Sequence, residues 1–206
     1  MHPHTTRAVA RTDATSFGGQ FRGAVLPRTR RLLHSGDAAH GRRAGRVNMT
    51  EPALHRGAVH EAGHAVMARW LGASLRSIKV DRDDPSAPGR IVMIWPNGRA
   101  SPEDELRVAA AGRICLVEFG FEIGLDVGPT LDWDQMSNAL AKMFPDDEAK
   151  QDLYQEKVDA ELAEWFGQAN VRSAVERLVK VLTRLGEIDG PQAQTIIDPV
   201  LASQDK

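Results

Sequence analysis

The sequence predicts a mainly α (α+β) fold carrying one small β-hairpin sheet. Three observations predict it. Apolar residues recur at three- and four-residue steps through most of residues 50–202, broken by helix-start signals. Only two runs have strand character, and a turn-forming stretch joins them. No internal repeat is present that would call for a solenoid or propeller.

The elements follow in order. Residues 1–48 hold nine Arg, no Lys and the acids Asp13 and Asp37, a net of +7, and show no helical or strand period. A disordered basic N-terminal extension is the expectation, ahead of one domain over 49–206. An untranslated stretch before Met49 and an Arg-rich transit peptide are the competing readings. Phe17 and Phe21 are the sole aromatics there, so base stacking has little to work with and no nucleic acid is expected as a partner. Thr50 can cap a helix with Pro52 in its first turn. Leu54, Ala58, Val59, Ala62, Ala65, Val66, Trp70 and Leu71 mark its apolar side, and Gly72 ends it.

Two strands come next. Leu75–Asp81 places Arg76, Ile78 and Val80 on one face, and Arg90–Trp95 is nearly continuous apolar. Asp84, Pro85, Pro88 and Gly89 turn the chain between them. Ser101-Pro102-Glu103-Asp104-Glu105 then starts a helix running to about Gly120: a capping Ser, Pro at the first position, and acids facing the positive helix end. A Gly/Pro-rich loop covers 121–131. Asp132 is read as the cap of a further helix through Met136, Leu140 and Met143. Charged helices follow over Asp147–Phe166, Val171–Leu185 and Pro191–Ala202.

Composition excludes several classes. With Cys115 alone there can be no intrachain disulfide and no thiolate zinc cluster, which fits a reducing, cytoplasmic setting. Cys115 lies in the apolar run 114–117 and reads as a small core residue. No stretch approaches the roughly 18–20 apolar residues of a membrane span. The Gly-rich, Lys-Ser/Thr-ended loop that cradles nucleotide phosphates is absent.

The chemistry concentrates in His60-Glu61-Ala62-Gly63-His64. Residues four apart on a helix share a face, so two imidazoles can bind one tetrahedral Zn²⁺. Glu61 points roughly 100° away around the helix. It is poorly placed as a ligand and well placed as the catalytic base of a metallopeptidase. Gly63 costs its helix roughly 1 kcal/mol relative to Ala, which makes sense if something approaches closely between the histidines. The third ligand is open on spacing alone. Trp70 stands where a third His of the longer His-Glu-x-x-His-x-x-Gly-x-x-His motif would fall. Glu103, Glu105, Glu118, Glu122, Asp126, Asp132 and Asp134 are all candidates by type.

The segment 58–66 resembles the active-site helix of the FtsH-type (AAA-linked) zinc metalloproteases. The likeness extends over roughly 53–200. It takes in the hairpin of 77–96, Ala111-Gly112-Arg113-Ile114, Glu118–Gly120, the stretch Gly128–Met143, and Leu185–Gly190. It implies a helical zincin-like peptidase domain that binds zinc through His60, His64 and Asp132, with Asp134 only a neighbour. It implies hydrolysis of peptide bonds in peptides or unfolded proteins. Since this chain has no visible ATPase or membrane part, a homo-oligomer or a separate ATPase are the protein partners the likeness suggests. A catalytically silent peptidase-like module acting with such an ATPase is the alternative.

Overall fold

A computed structural model describes residues 51–80, 89–122 and 131–202, all within one compact unit that spans Arg43–Lys206. The basic segment 1–48, the capping Thr50, the turn residues Asp84, Pro85 and Pro88, and Asp126 lie outside the described residues. The observed order is α1 (Glu51–Trp70), β1 (Ser74–Val80), β2 (Gly89–Ile94), α2 (Pro102–Glu118), α3 (Leu131–Met143), α4 (Glu148–Gly167), α5 (Ala169–Leu185), β3 (Glu187–Asp189) and α6 (Gly190–Leu201). The fold is thus mainly helical with one small antiparallel sheet, as expected.

The helix α1 buries Ala58, Val59, Ala62, Ala65 and Val66 completely. Facing it, α2 buries Ala109, Ala110, Ala111 and Gly112. Small residues on both sides let the two helices approach closely. Ser101 caps α2, its hydroxyl accepting from the Asp104 amide at 3.1 Å, and Pro102 opens the helix. Asp147 and Asp189 cap α4 and α6 in the same way, accepting from the amides of Lys150 and Gln192. Gly186 closes α5 at φ 77°, a left-handed conformation that favours glycine.

The sheet order is β2-β1-β3, with β1 antiparallel to both neighbours. The strand β3 is too short to announce itself, and the sequence pattern missed it. A register shift between Leu75 and Ser77 also changes the expected face of β1. Through that bulge Leu75, Ile78 and Val80 are buried and Arg76 is exposed, so the one-face alternation read from the sequence fails at Arg76. In β2 the inward row is Gly89, Ile91 and Met93, while Val92 and Ile94 face out at 38% and 56% exposure. Gly190 lets α6 start directly against β1, since a methyl there would overlap the Leu75 carbonyl.

Two further expectations need correction. Asp132 is not a cap: α3 already starts at Leu131, so Asp132 sits in its first turn, with its carboxylate turned toward α1. Trp70 is half exposed and leans on Trp165, with ring centroids 5.4 Å apart, instead of lying in the core. The acids of the charged helix α4 are partly engaged with α2. Asp159 and Glu161 pair with Arg113 and Arg107 of α2 at 2.6 and 2.9 Å. Among the described residues no helix is long and apolar enough to cross a membrane.

Candidate metal centre

The two motif histidines project from the same face of α1, as their spacing requires, with rings edge to face and centroids 4.5 Å apart. The first turn of α3 delivers Asp132 to them from 72 residues away. Their Nε2 atoms lie 3.0 Å apart. Asp132 Oδ2 is 2.9 Å from the His60 Nε2 and 3.3 Å from that of His64. Among the described residues this is the one such group of His, Cys, Asp or Glu whose ligand atoms converge, all within 4.8 Å.

The donor set fits zinc. A tetrahedral ion bonded at about 2.0–2.1 Å separates its ligands by roughly 3.3–3.4 Å, and the observed triangle is within a few tenths of an ångström of that. Two imidazoles and a carboxylate leave a fourth position for water or substrate, as in catalytic sites. The orientation of His64 is fixed from behind. Its Nδ1–H donates to the Val108 carbonyl at 2.6 Å, which turns Nε2 toward His60 and Asp132.

Glycines set how closely neighbouring backbone can come. A Cβ on Gly63 would lie 2.6 Å from Cys115 Cβ and 2.8 Å from the Ala111 carbonyl, so α2 is the element that approaches α1 between the histidines. On Gly112 a Cβ would overlap His64 Nε2 and fall 2.7 Å from His60 Cε1. The α2 backbone therefore lies directly over the two rings. On Gly89 a Cβ would fall 2.5 Å from Glu61 Cγ and 2.8 Å from its Cδ. The first residue of β2 thus packs flat on the Glu61 side chain, which is only 3% exposed.

Burial sets the protonation of this cluster. Desolvation pushes the Glu61 carboxyl up to about 7; the nearby His64 opposes the shift and Asp132 adds to it. Desolvation also works against charge on His64. The hydrogen bond and charge of Asp132 outweigh it, and the metal-free imidazole is pushed up to about 9. His60 goes the other way, lowered by burial and by its charged neighbour His64. Burial opposes the Asp132 carboxylate, yet its bonds to the two histidines hold it well below the usual range. Cys115 is buried and its thiol is pushed far up by desolvation, in keeping with an inert core residue.

The other acids considered for the third ligand position are elsewhere. Glu103 pairs with Arg107 at 3.0 Å and Glu105 with Lys142 at 2.6 Å. Asp134 is exposed in the first turn of α3. Neither Glu118 nor Glu122 belongs to the converging group. Gly89, Gly112 and Val108 are the contributors that motif spacing did not assign. Gly112 stood out as part of a motif, but nothing in its spacing gave it a role. Val108 acts through its backbone and leaves no side-chain signal. No family model and no curated protein matches the chain.

Proposed function

We propose that this chain is a zinc-dependent endopeptidase that cuts peptides or unfolded proteins. One observation carries the reading. Three ligand atoms from α1 and α3 converge beside a buried carboxylate that burial pushes up to about 7. A zinc ion held by His60, His64 and Asp132 would act as a Lewis acid, lowering the pKa of a water from 15.7 to about 7.

The protein's own groups do the rest. Glu61 takes the proton of the attacking water and hands it to the leaving amine, a role suited to a group that titrates near neutrality. The Val108 carbonyl keeps His64 in one tautomer, and Gly112 keeps the space above both rings free of a side chain. Gly89 holds β2 against Glu61 and walls its carboxylate from bulk water. Among the described residues β2 pairs on one side only, with β1, so its outer edge can align an extended substrate by main-chain hydrogen bonds. A reducing compartment such as the cytoplasm suits a chain whose single cysteine is a buried thiol.

The test is Glu61→Gln in zinc-loaded protein, with an unfolded protein as substrate. The variant keeps its fold and about one zinc per chain, and turnover falls by roughly 10²–10⁴-fold, the usual contribution of a general base. Undiminished cleavage removes Glu61 from the chemistry. Substrate binding without cleavage in the parent protein leaves the silent peptidase-like module in its place.

A further inference from the structure

A cavity of about 370 Å³ opens between β2, α2 and α3. That is within the range of cavities that bind small ligands. Its lining is mixed. Met93, Trp95 and Val108 give apolar walls, Gln135 and Asn138 bring carboxamides, and Glu105 and Lys142, paired at 2.6 Å, complete the lining.

Three rows of residues lead into this cavity from the metal centre. On α2 the row runs from Gly112, over the histidines, to Val108 and Glu105, at steps of four and three. On α3 it runs from the ligand Asp132 to Gln135, Asn138 and Lys142, at steps of three, three and four. On β2 the inward row begins at Gly89, against Glu61, and passes through Ile91 to Met93. Val108 joins the two places directly: it lines the cavity, and its carbonyl holds His64. At 1.5 Å per residue, Val108 lies about 6 Å along α2 from Gly112. Two residues of an extended peptide span about 7 Å.

The geometry points to this cavity as the pocket that selects the substrate's side chain one or two residues from the cut bond. This rests on the peptidase reading above. The occupant has an apolar body and an uncharged polar end, of the Gln, Met or Tyr kind. The apolar walls offer a bare charge no partner. Glu105 and Lys142 neutralise each other, so neither attracts a free carboxylate or ammonium while the pair is intact. The carboxamides of Gln135 and Asn138 can donate to or accept from a polar tip. The ion pair therefore acts as a specificity-determining element: removing either partner turns the pocket into a site for the charge opposite to the one that remains.

The test uses the full chain carrying Glu61→Gln, loaded with zinc. Its ligands are labelled peptides of one extended sequence that differ at a single position: Gln, Met, Ala, Asp or Lys. The Gln and Met peptides bind about tenfold tighter than the Asp and Lys peptides, a modest ratio of the size one pocket contact gives. Adding Glu105→Gln frees Lys142 and raises affinity for the Asp peptide about tenfold, while Lys142→Gln frees Glu105 and does the same for the Lys peptide. Making both changes together restores the parent order. Equal affinities throughout, a shift of both variants in the same direction, or no peptide binding at all overturns the assignment. Cleavage by the unsubstituted protein separates the two readings. Selective binding without any cleavage sinks the peptidase and keeps the pocket. Cleavage whose sites ignore both substitutions keeps the peptidase and sinks the pocket.

Discussion

The seam between α1 and α2 and the seam between α2 and α4 are built on opposite principles. Along the first, backbone meets side chain with no room for a methyl: Gly63 against Cys115 and Ala111, Gly112 against both imidazoles. Along the second, long side chains reach across, Arg107 to Glu161 and Arg113 to Asp159. The difference follows from what each seam must do. The two imidazoles of α1 have to be held within a few tenths of an ångström, and the α2 backbone packed against them, with its Val108 carbonyl on His64, fixes a position that tightly. Holding α4 on the domain asks less, and arginine–carboxylate pairs across a partly buried seam supply it.

The sharpest way to break this contrast is a glycine-to-alanine change made in the first seam and, as a control, outside both. Gly112→Ala puts a methyl on His64 Nε2, and zinc affinity should drop by more than the 10–100-fold typical of outer-shell changes. Gly167→Ala, at the end of α4 where a Cβ meets nothing within 4 Å, should leave zinc binding unchanged. Zinc titration against a competing chelator measures both. Equal effects would mean that packing over the rings is not what holds them.

Proton linkage gives the next effect. In the metal-free protein His64 is pushed up to about 9, above its ordinary 6.5, so it is protonated at neutral pH and zinc must displace that proton. Zinc affinity should therefore rise with pH, about tenfold per unit between roughly 7 and 9, and level off above. Calorimetry in two buffers of different ionisation heat should find about one proton released near pH 8; none released would contradict the assignment. The same shift affects stability. A group whose folded pKa is raised stabilises fully below its unfolded value and loses that contribution as pH rises. The metal-free protein should then melt at progressively lower temperature from pH 6.5 toward 9.

Smaller effects test the seams alone. Gly63→Ala forces α1 and α2 apart and should cost about 1–3 kcal/mol, the range for overpacked cores, seen as a lower denaturation midpoint. Glu161→Gln removes a partly exposed ion pair from the α2–α4 seam and should cost at most about 1 kcal/mol. A Glu161→Gln loss larger than that of Gly63→Ala would reverse the proposed order of the two seams.

The contrast also bears on what the sequence could reveal. The histidines and Glu61 were legible because one helix turn fixes their mutual placement, and the helix was marked by its apolar period. Gly63 was legible in part: its cost inside a helix signalled a close approach, though not that α2 made it. Asp132 was one of several acids by spacing, because its position depends on how α3 packs, which no local rule sets. Even its local role was misread, since a residue in the first turn has the same signature as a cap. Val108, Gly89 and Gly112 act through backbone or through a missing side chain, so only three-dimensional packing shows them. The strand β3 and the bulge at Leu75–Ser77 were lost for a related reason: three residues and one register shift fall below any periodic signal.

The central claim is that His60, His64 and Asp132 form one zinc site. Zinc per chain, measured by elemental mass spectrometry in untagged protein and in Asp132→Ala after equal exposure to the metal, tests it most directly. About one zinc is expected in the parent and far less in the variant, with both folded by circular dichroism. One zinc in both would take Asp132 out of the ligand set, and none in the parent would mean that the converging triad does not hold zinc.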